Sequence, residues 1–169
     1  MENFKTNYKT ELTYDRARAA LAETLASKGI ADVRVLEAIL KTPRHLFIDG
    51  AFSSRAYEDM SLPIGYRQTI SQPYVVAKMT EILIKGNILE KKHLGAVLEI
   101  GTGCGYQAAV VSRFCRKVFS LERIKPLAER AEENLKKAGI KNFLIRWSDG
   151  TLGCLLYTSP SPRDAESSR

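Results

Sequence analysis

No stretch of this sequence approaches the ~18 uninterrupted apolar residues of a membrane-spanning helix, and Met1-Glu2-Asn3-Phe4-Lys5 has no basic segment leading into an apolar one. Neither a membrane partner nor export is expected, and a cytoplasmic location is. Histidine is scarce, with two, and the three cysteines are odd in number, unpaired in spacing and remote from His45 and His93. Those shortages exclude a disulfide framework and a zinc site, so no metal is expected and a reducing compartment fits. What remains is ordinary for a globular chain: 169 residues, 44% hydrophobic and 27% charged, enough for one compact unit.

Formal net charge is +7, which raises nucleic acid as a partner. The basic residues are scattered among acids at helical spacing, Lys125 with Glu129 and Glu133 with Lys137, so a solvated charged surface is the preferred reading. No nucleic-acid partner is expected.

From Cys154 the texture changes to Cys-Leu-Leu-Tyr-Thr-Ser-Pro-Ser-Pro-Arg-Asp, with no helical or strand period. One choice of codons for Cys154 to Asp164 resembles a transposon-end adapter used in sequencing libraries. The expectation is a non-native tail over 154–169, with the natural protein continuing past Gly153. A real coil tail is the alternative. The rest divides into an N-terminal helical and substrate-loop region, 1–92, and the first half of an α/β domain, 93–153.

Tyr14, Ala17, Leu21 and Leu25 recur at helical spacing up to a cap at Gly29. Asp32 can cap a second helix, with Leu36, Ile39 and Leu40 inward, ended by Thr42-Pro43. Residues 43–70 read as a connection, partly helical around Ala51 to Tyr57. A third helix is expected from Ser71, with Pro73 in its first turn and Val75, Val76, Met79, Ile82 and Leu83 on one buried stripe. Beyond Gly86 the pattern becomes strand, glycine turn and helix: Ala96 to Ile100, Gly101-Thr102-Gly103-Cys104-Gly105, then Tyr106 to about Phe114. Lys117 to Glu122 is a second strand, Pro126 opens a helix carrying Leu127, Ala131 and Leu135, and Asn142 to Trp147 is a third strand before Ser148-Asp149-Gly150. Repeated strand and helix units predict a parallel, Rossmann-like α/β sheet, truncated after its third strand.

Such sheets bind ligands at the carboxyl ends of their strands. Here the glycines fall at 101, 103 and 105, with Tyr106 where the dinucleotide fingerprint has glycine. That favours a nucleoside with an amino-acid moiety, S-adenosylmethionine, over a pyrophosphate. Glu122 can accept both hydrogen bonds of a ribose diol, and Asp149-Gly150 is placed for the adenine amino group. A plain tight turn is the alternative for the glycines and a solvated strand end for Glu122. Cys104, His45 and His93 read as structural residues.

The run Leu62 to Tyr74, Met79-Thr80-Glu81, Leu98 to Gly103, Gly105 to Ala109, Glu122-Arg123 and Asp149-Gly150 resembles the protein-L-isoaspartate O-methyltransferase family. Thr69-Ile70-Ser71-Gln72-Pro73 is its specific part. The resemblance implies methyl transfer from S-adenosylmethionine to the free carboxylate of isoaspartyl residues in damaged proteins and peptides by a monomer. It places the active-site serine at Ser71, with Gln68, Thr69 and Ile70 lining the cofactor and substrate side, and further cofactor contacts at Glu99, Gly101, Gly103, Glu122, Asp149 and Gly150. Arg67, Cys104 and Ser148 depart from the family pattern, which has glycine, serine and glycine there. A carboxylate is already ionised at neutral pH, so catalysis is expected to come from alignment and water exclusion rather than a general base. Ser71 either donates a hydrogen bond to that carboxylate or caps the following helix. An RNA methyltransferase and a non-catalytic cofactor-binding fragment are the alternatives. The fragment itself is expected to be inactive, because a sheet ending at the third strand leaves its central edge open.

Overall fold

The computed structural model describes residues 2–86 and 93–150, so the tail reading for 154–169 lies outside the described residues. The region boundary drawn between 92 and 93 adjoins 87–92, also outside them.

Helix α1, Glu2–Ser27, precedes α2, Val33–Lys41, whose N-terminus is capped by Asp32 accepting from the Arg34 amide, as the sequence predicts. The inward face of α2 is Val35, Ala38 and Ile39, and Leu40 is exposed, contrary to the reading that turned it inward. Two short 3-10 turns, Arg44–Phe47 and Gly50–Arg55, lead into a hairpin read from the sequence only as connection: β1, Leu62–Gly65, antiparallel to β2, Gln68–Ile70. Its turn residues Tyr66 and Arg67 both have left-handed backbones, φ 53° and 55°. This is the conformation that asparagine and glycine favour in two-residue hairpins and that a long side chain adopts at a cost. Replacing Arg67 with glycine is therefore expected to raise unfolding free energy by about 1 kcal/mol, measured by urea denaturation; an unchanged midpoint would contradict the strain.

Helix α3 spans Pro73–Lys85, with Gln72 at its N-cap. Two expectations fail here. Ser71 does not begin the helix. The buried face is Pro73, Val76, Ala77, Thr80 and Glu81, whereas Val75, Met79, Ile82 and Leu83 are exposed. The cause is a buried acid: Glu81 Oε1 accepts from the Ala31 and Asp32 amides at 2.8 and 2.9 Å, and its Oε2 pairs with Lys78 at 3.0 Å. Those bonds, led by Lys78, hold its carboxyl down at about 2. They dock the polar side of α3 against the start of α2 and turn the apolar stripe outward.

Strand β3, Leu94–Ile100, helix α4, Tyr106–Val111, strand β4, Cys115–Glu122, helix α5, Lys125–Lys137, and strand β5, Phe143–Trp147, complete the described chain. The sheet is parallel in the order β3-β4-β5, the arrangement the repeated units imply. Leu127, Ala131 and Leu135 of α5 are fully buried, as their spacing predicts. Helix α4 stops short of Phe114. Strand β3 lies on an edge among the described residues, so Leu98 and Ile100 are exposed rather than buried. With Met79, Ile82 and Leu83 they line an apolar groove of about 420 Å³ between α3 and β3. No helix of the described residues is long and apolar enough to cross a membrane.

Candidate active site

The glycine turn leaves β3 with Gly101, Gly103 and Gly105 all at left-handed φ, 88°, 57° and 93°. At Gly105, the N-cap of α4, a side chain would meet the Ala131 carbonyl and Leu135 Cγ at 3.3 Å, so only glycine lets α4 seat against α5. Gly101 faces open space. The backbone is a cradle whose first residue has room above it.

Glu122, ending β4, is buried and spans the turn: its Oε2 accepts from the Gly103 amide at 2.8 Å and its Oε1 from the Ile124 amide at 2.9 Å. Each oxygen keeps a second lone pair. One strand over, Glu99 Oε2 accepts a short hydrogen bond from Ser120, whose hydroxyl also meets Thr102 Oγ1 at 2.6 Å. Glu99 Oε1 is buried with no partner among the described residues. Burial pushes the Glu99 carboxyl up to about 7, opposed by Ser120 and reinforced by the charge of Glu122. A carboxyl raised on folding favours the folded state fully below its unfolded value of 4.5, and that contribution fades as pH rises to about 7. Stability should fall across this window, and Glu99→Gln should flatten that limb of a melting-temperature profile. An unchanged slope would show that Glu99 does not titrate there.

Gly150 lies against the end of β3, since a side chain on it would stand 2.5 Å from Ile100 Cγ2, which brings the loop of Asp149 to the same strand end. The hairpin arrives from the other side. Ile64 Cδ1 lies 3.5 Å from the Cβ position of Gly103, and Arg130 of α5 donates a short hydrogen bond to the Ile64 carbonyl. On β2, Gln68 is half-buried and Thr69 exposed, while Ile70 turns into the core.

Ser71 is exposed, and its hydroxyl makes no hydrogen bond among the described residues. The cap of α3 is supplied instead by Asp59, whose Oδ1 accepts from the Tyr74 amide at 2.8 Å. Its Oδ2 takes Gln72 Nε2 at 3.1 Å and Lys28 Nζ at 2.6 Å. Burial opposes ionisation of Asp59, and the bonds from Lys28, Tyr74 and Gln72 outweigh it, keeping the carboxyl below its usual value. This role of Asp59, and the burial of Arg44, were missed from sequence. Arg44 had a usable signal, a cation just ahead of the apolar Leu46-Phe47-Ile48.

His45 stacks on Tyr14 at 4.1 Å and shares a hydrogen bond with Tyr57 Oη at 2.6 Å, away from the glycine turn. Burial raises the Cys104 and Cys115 thiols to about 11, so neither is a ready thiolate at neutral pH. Among the described residues no group of three or more His, Cys, Asp or Glu could hold a metal ion.

The α/β sheet, of Rossmann-like order, carries a glycine turn, a buried acid ending its second strand and an Asp-Gly after the third. The family model for protein-L-isoaspartate(D-aspartate) O-methyltransferase matches residues 16–165. The chain belongs to that family. The protein-L-isoaspartate O-methyltransferase of Pseudomonas syringae pv. tomato is 52% identical over 142 residues, covering 84% of this chain and 65% of its own length. That of Burkholderia lata is 49% identical over 154 residues, covering 91% and 47%. A solved protein-L-isoaspartate O-methyltransferase superposes with a TM-score of 0.67 at 32% identity, over 79% of this chain and 42% of that one. The chain thus spans between about two fifths and two thirds of the length of these relatives.

Proposed function

We propose that this chain carries the cofactor turn and substrate loop of an S-adenosylmethionine-dependent enzyme that methylates the free carboxylate of L-isoaspartyl and D-aspartyl residues in damaged proteins. Family membership supports this reading. The single observation that carries it is the seating of the hairpin that leads into Ser71 on the glycine turn through Ile64 and Gly103. The residues present fit the cofactor: a cradle open above Gly101, a buried Glu122 with acceptor capacity left over, and, one residue before the end of β3, a buried Glu99 oxygen with no partner among the described residues.

When bound, S-adenosylmethionine supplies an activated methyl group on a sulfonium. Glu122 would hold the ribose hydroxyls, Asp149 and Gly150 the adenine edge, and Glu99, Gly101 and Gly103 the amino-acid end. Gln68 and Thr69 line the cofactor and substrate side, and Ile70 anchors their strand in the core. Ser71 donates a hydrogen bond that fixes the accepting carboxylate, which needs no base to ionise it. The proposed setting is cytoplasmic and the partners are isoaspartyl proteins and peptides.

The activity is proposed for residues 1–150 completed by the C-terminal part of the Pseudomonas syringae relative. That completed enzyme, given labelled cofactor, is expected to methylate an isoaspartyl peptide but neither its aspartyl isomer nor RNA. Label in RNA, or in neither peptide, refutes the proposal.

A further inference from the structure

Arg44 is the largest fully buried side chain among the described residues, and no carboxylate forms a hydrogen bond with it. Its Nη1 donates to the Ala56 carbonyl at 2.7 Å, and its Nη2 donates to the carbonyls of Met60 and Ser71, both at 3.0 Å. Its Nε is buried without a partner among the described residues. Beneath it lies the Tyr106 ring, 5.5 Å from Cζ to the ring centroid, and Tyr106 is the first residue of α4, immediately after Gly105.

A cation buried without an acid partner is a poor way to stabilise a fold, and an apolar residue of similar volume often does better. What the guanidinium supplies is a rigid planar fork. Here that fork gathers three carbonyls from two segments, one of them ending at Ser71, and rests on the residue that opens the cofactor-side helix. Burial lowers the Arg44 pKa from a very high starting value, so the group stays charged at neutral pH. On the other flank of the same turn, Asp59 holds the Gln72 side chain and the Tyr74 amide. Ser71 stands between a fixed carbonyl and a fixed neighbour, with its hydroxyl unbonded among the described residues.

We infer that Arg44 is a positioning residue for the transfer reaction: it sets the height of the Ser71 turn over the glycine turn through one side chain that touches the Ser71 carbonyl and the Tyr106 ring. It touches neither reactant. A lysine at this place keeps the charge and three donors, but on one nitrogen, without the two-nitrogen fork that reaches the Ala56 carbonyl on one side and those of Met60 and Ser71 on the other. The catalytic meaning rests on the methyl-transfer reading above, whereas the geometric part stands without it.

The test has two arms. In the 169-residue chain, Arg44→Lys and Arg44→Gln are compared with wild type by hydrogen exchange. The amides of Tyr74 and Val76, bonded to Asp59 Oδ1 and the Gln72 carbonyl, should exchange at least about tenfold faster, with those of β3, β4 and β5 unchanged. In the completed enzyme, Arg44→Lys should lower kcat for an isoaspartyl peptide by about 10- to 100-fold, with the Kd for adenosylhomocysteine within about twofold of wild type. Uniform acceleration of exchange, loss of folding in both variants, or a kcat that falls only as far as cofactor affinity does, would assign Arg44 to stability alone and overturn the inference. So would unchanged exchange or unchanged kcat. A wild-type completed enzyme without turnover refutes the methyl-transfer reading instead, and the exchange arm still decides the geometry.

Discussion

Ser71→Ala in the completed enzyme is expected to lose about 100-fold in kcat, the scale of removing one preorganised donor from an active site. The Kd for adenosylhomocysteine and the melting temperature should not move. Three observations make this sharp. The hydroxyl has no intramolecular bond to lose among the described residues, the residue is exposed, and the helix behind it is capped by Asp59 rather than by Ser71. Truncation therefore removes the donor proposed for the substrate carboxylate and leaves the folded chain as it was. Stopped-flow or steady-state kinetics at saturating cofactor, alongside a thermal melt, read both quantities. A rate near wild type with a lowered melting temperature would return Ser71 to a structural role.

Glu122→Ala should be the most damaging change to cofactor binding. The carboxylate already fixes two amides, those of Gly103 and Ile124, so its loss frees the turn as well as removing the acceptors proposed for a ribose diol. Two hydrogen bonds to a charged group, at about 1.5 kcal/mol each, correspond to a rise of roughly 100-fold in Kd for adenosylhomocysteine. Glu122→Gln retains one acceptor and should weaken binding by only about tenfold. Calorimetry on both variants distinguishes the cases, and an alanine variant that binds like wild type would show that the acid is merely a strand end.

The parts of the fold legible in the sequence are those whose causes are local. Strands β4 and β5, helix α5 with Leu127, Ala131 and Leu135 inward, and the glycine turn all follow from periods and turn residues within one element. The place of Glu122 at the end of β4 was legible too, whereas its bonds to the Gly103 and Ile124 amides were not. The hairpin was not, because Tyr66 and Arg67 occupy a turn that gives no signal without glycine or asparagine. The orientation of α3 depends on amides of Ala31 and Asp32, 50 and 49 positions from Glu81 in the chain. No periodicity within the helix contains that information. The cap of α3 likewise comes from Asp59, which is why Ser71 looked like a candidate for it. Resemblance, not spacing, singled out Ser71 for chemistry, and the structure adds what holds it in place.

The seat of Ile64 on Gly103 has a thermodynamic corollary. A nucleoside that stiffens the turn also stiffens the ribbon leading to Ser71, and an occupant on the ribbon side stiffens the turn in return. By linkage the two effects on affinity must be equal in size, so whichever ligand arrives first has already met part of the ordering cost of the second.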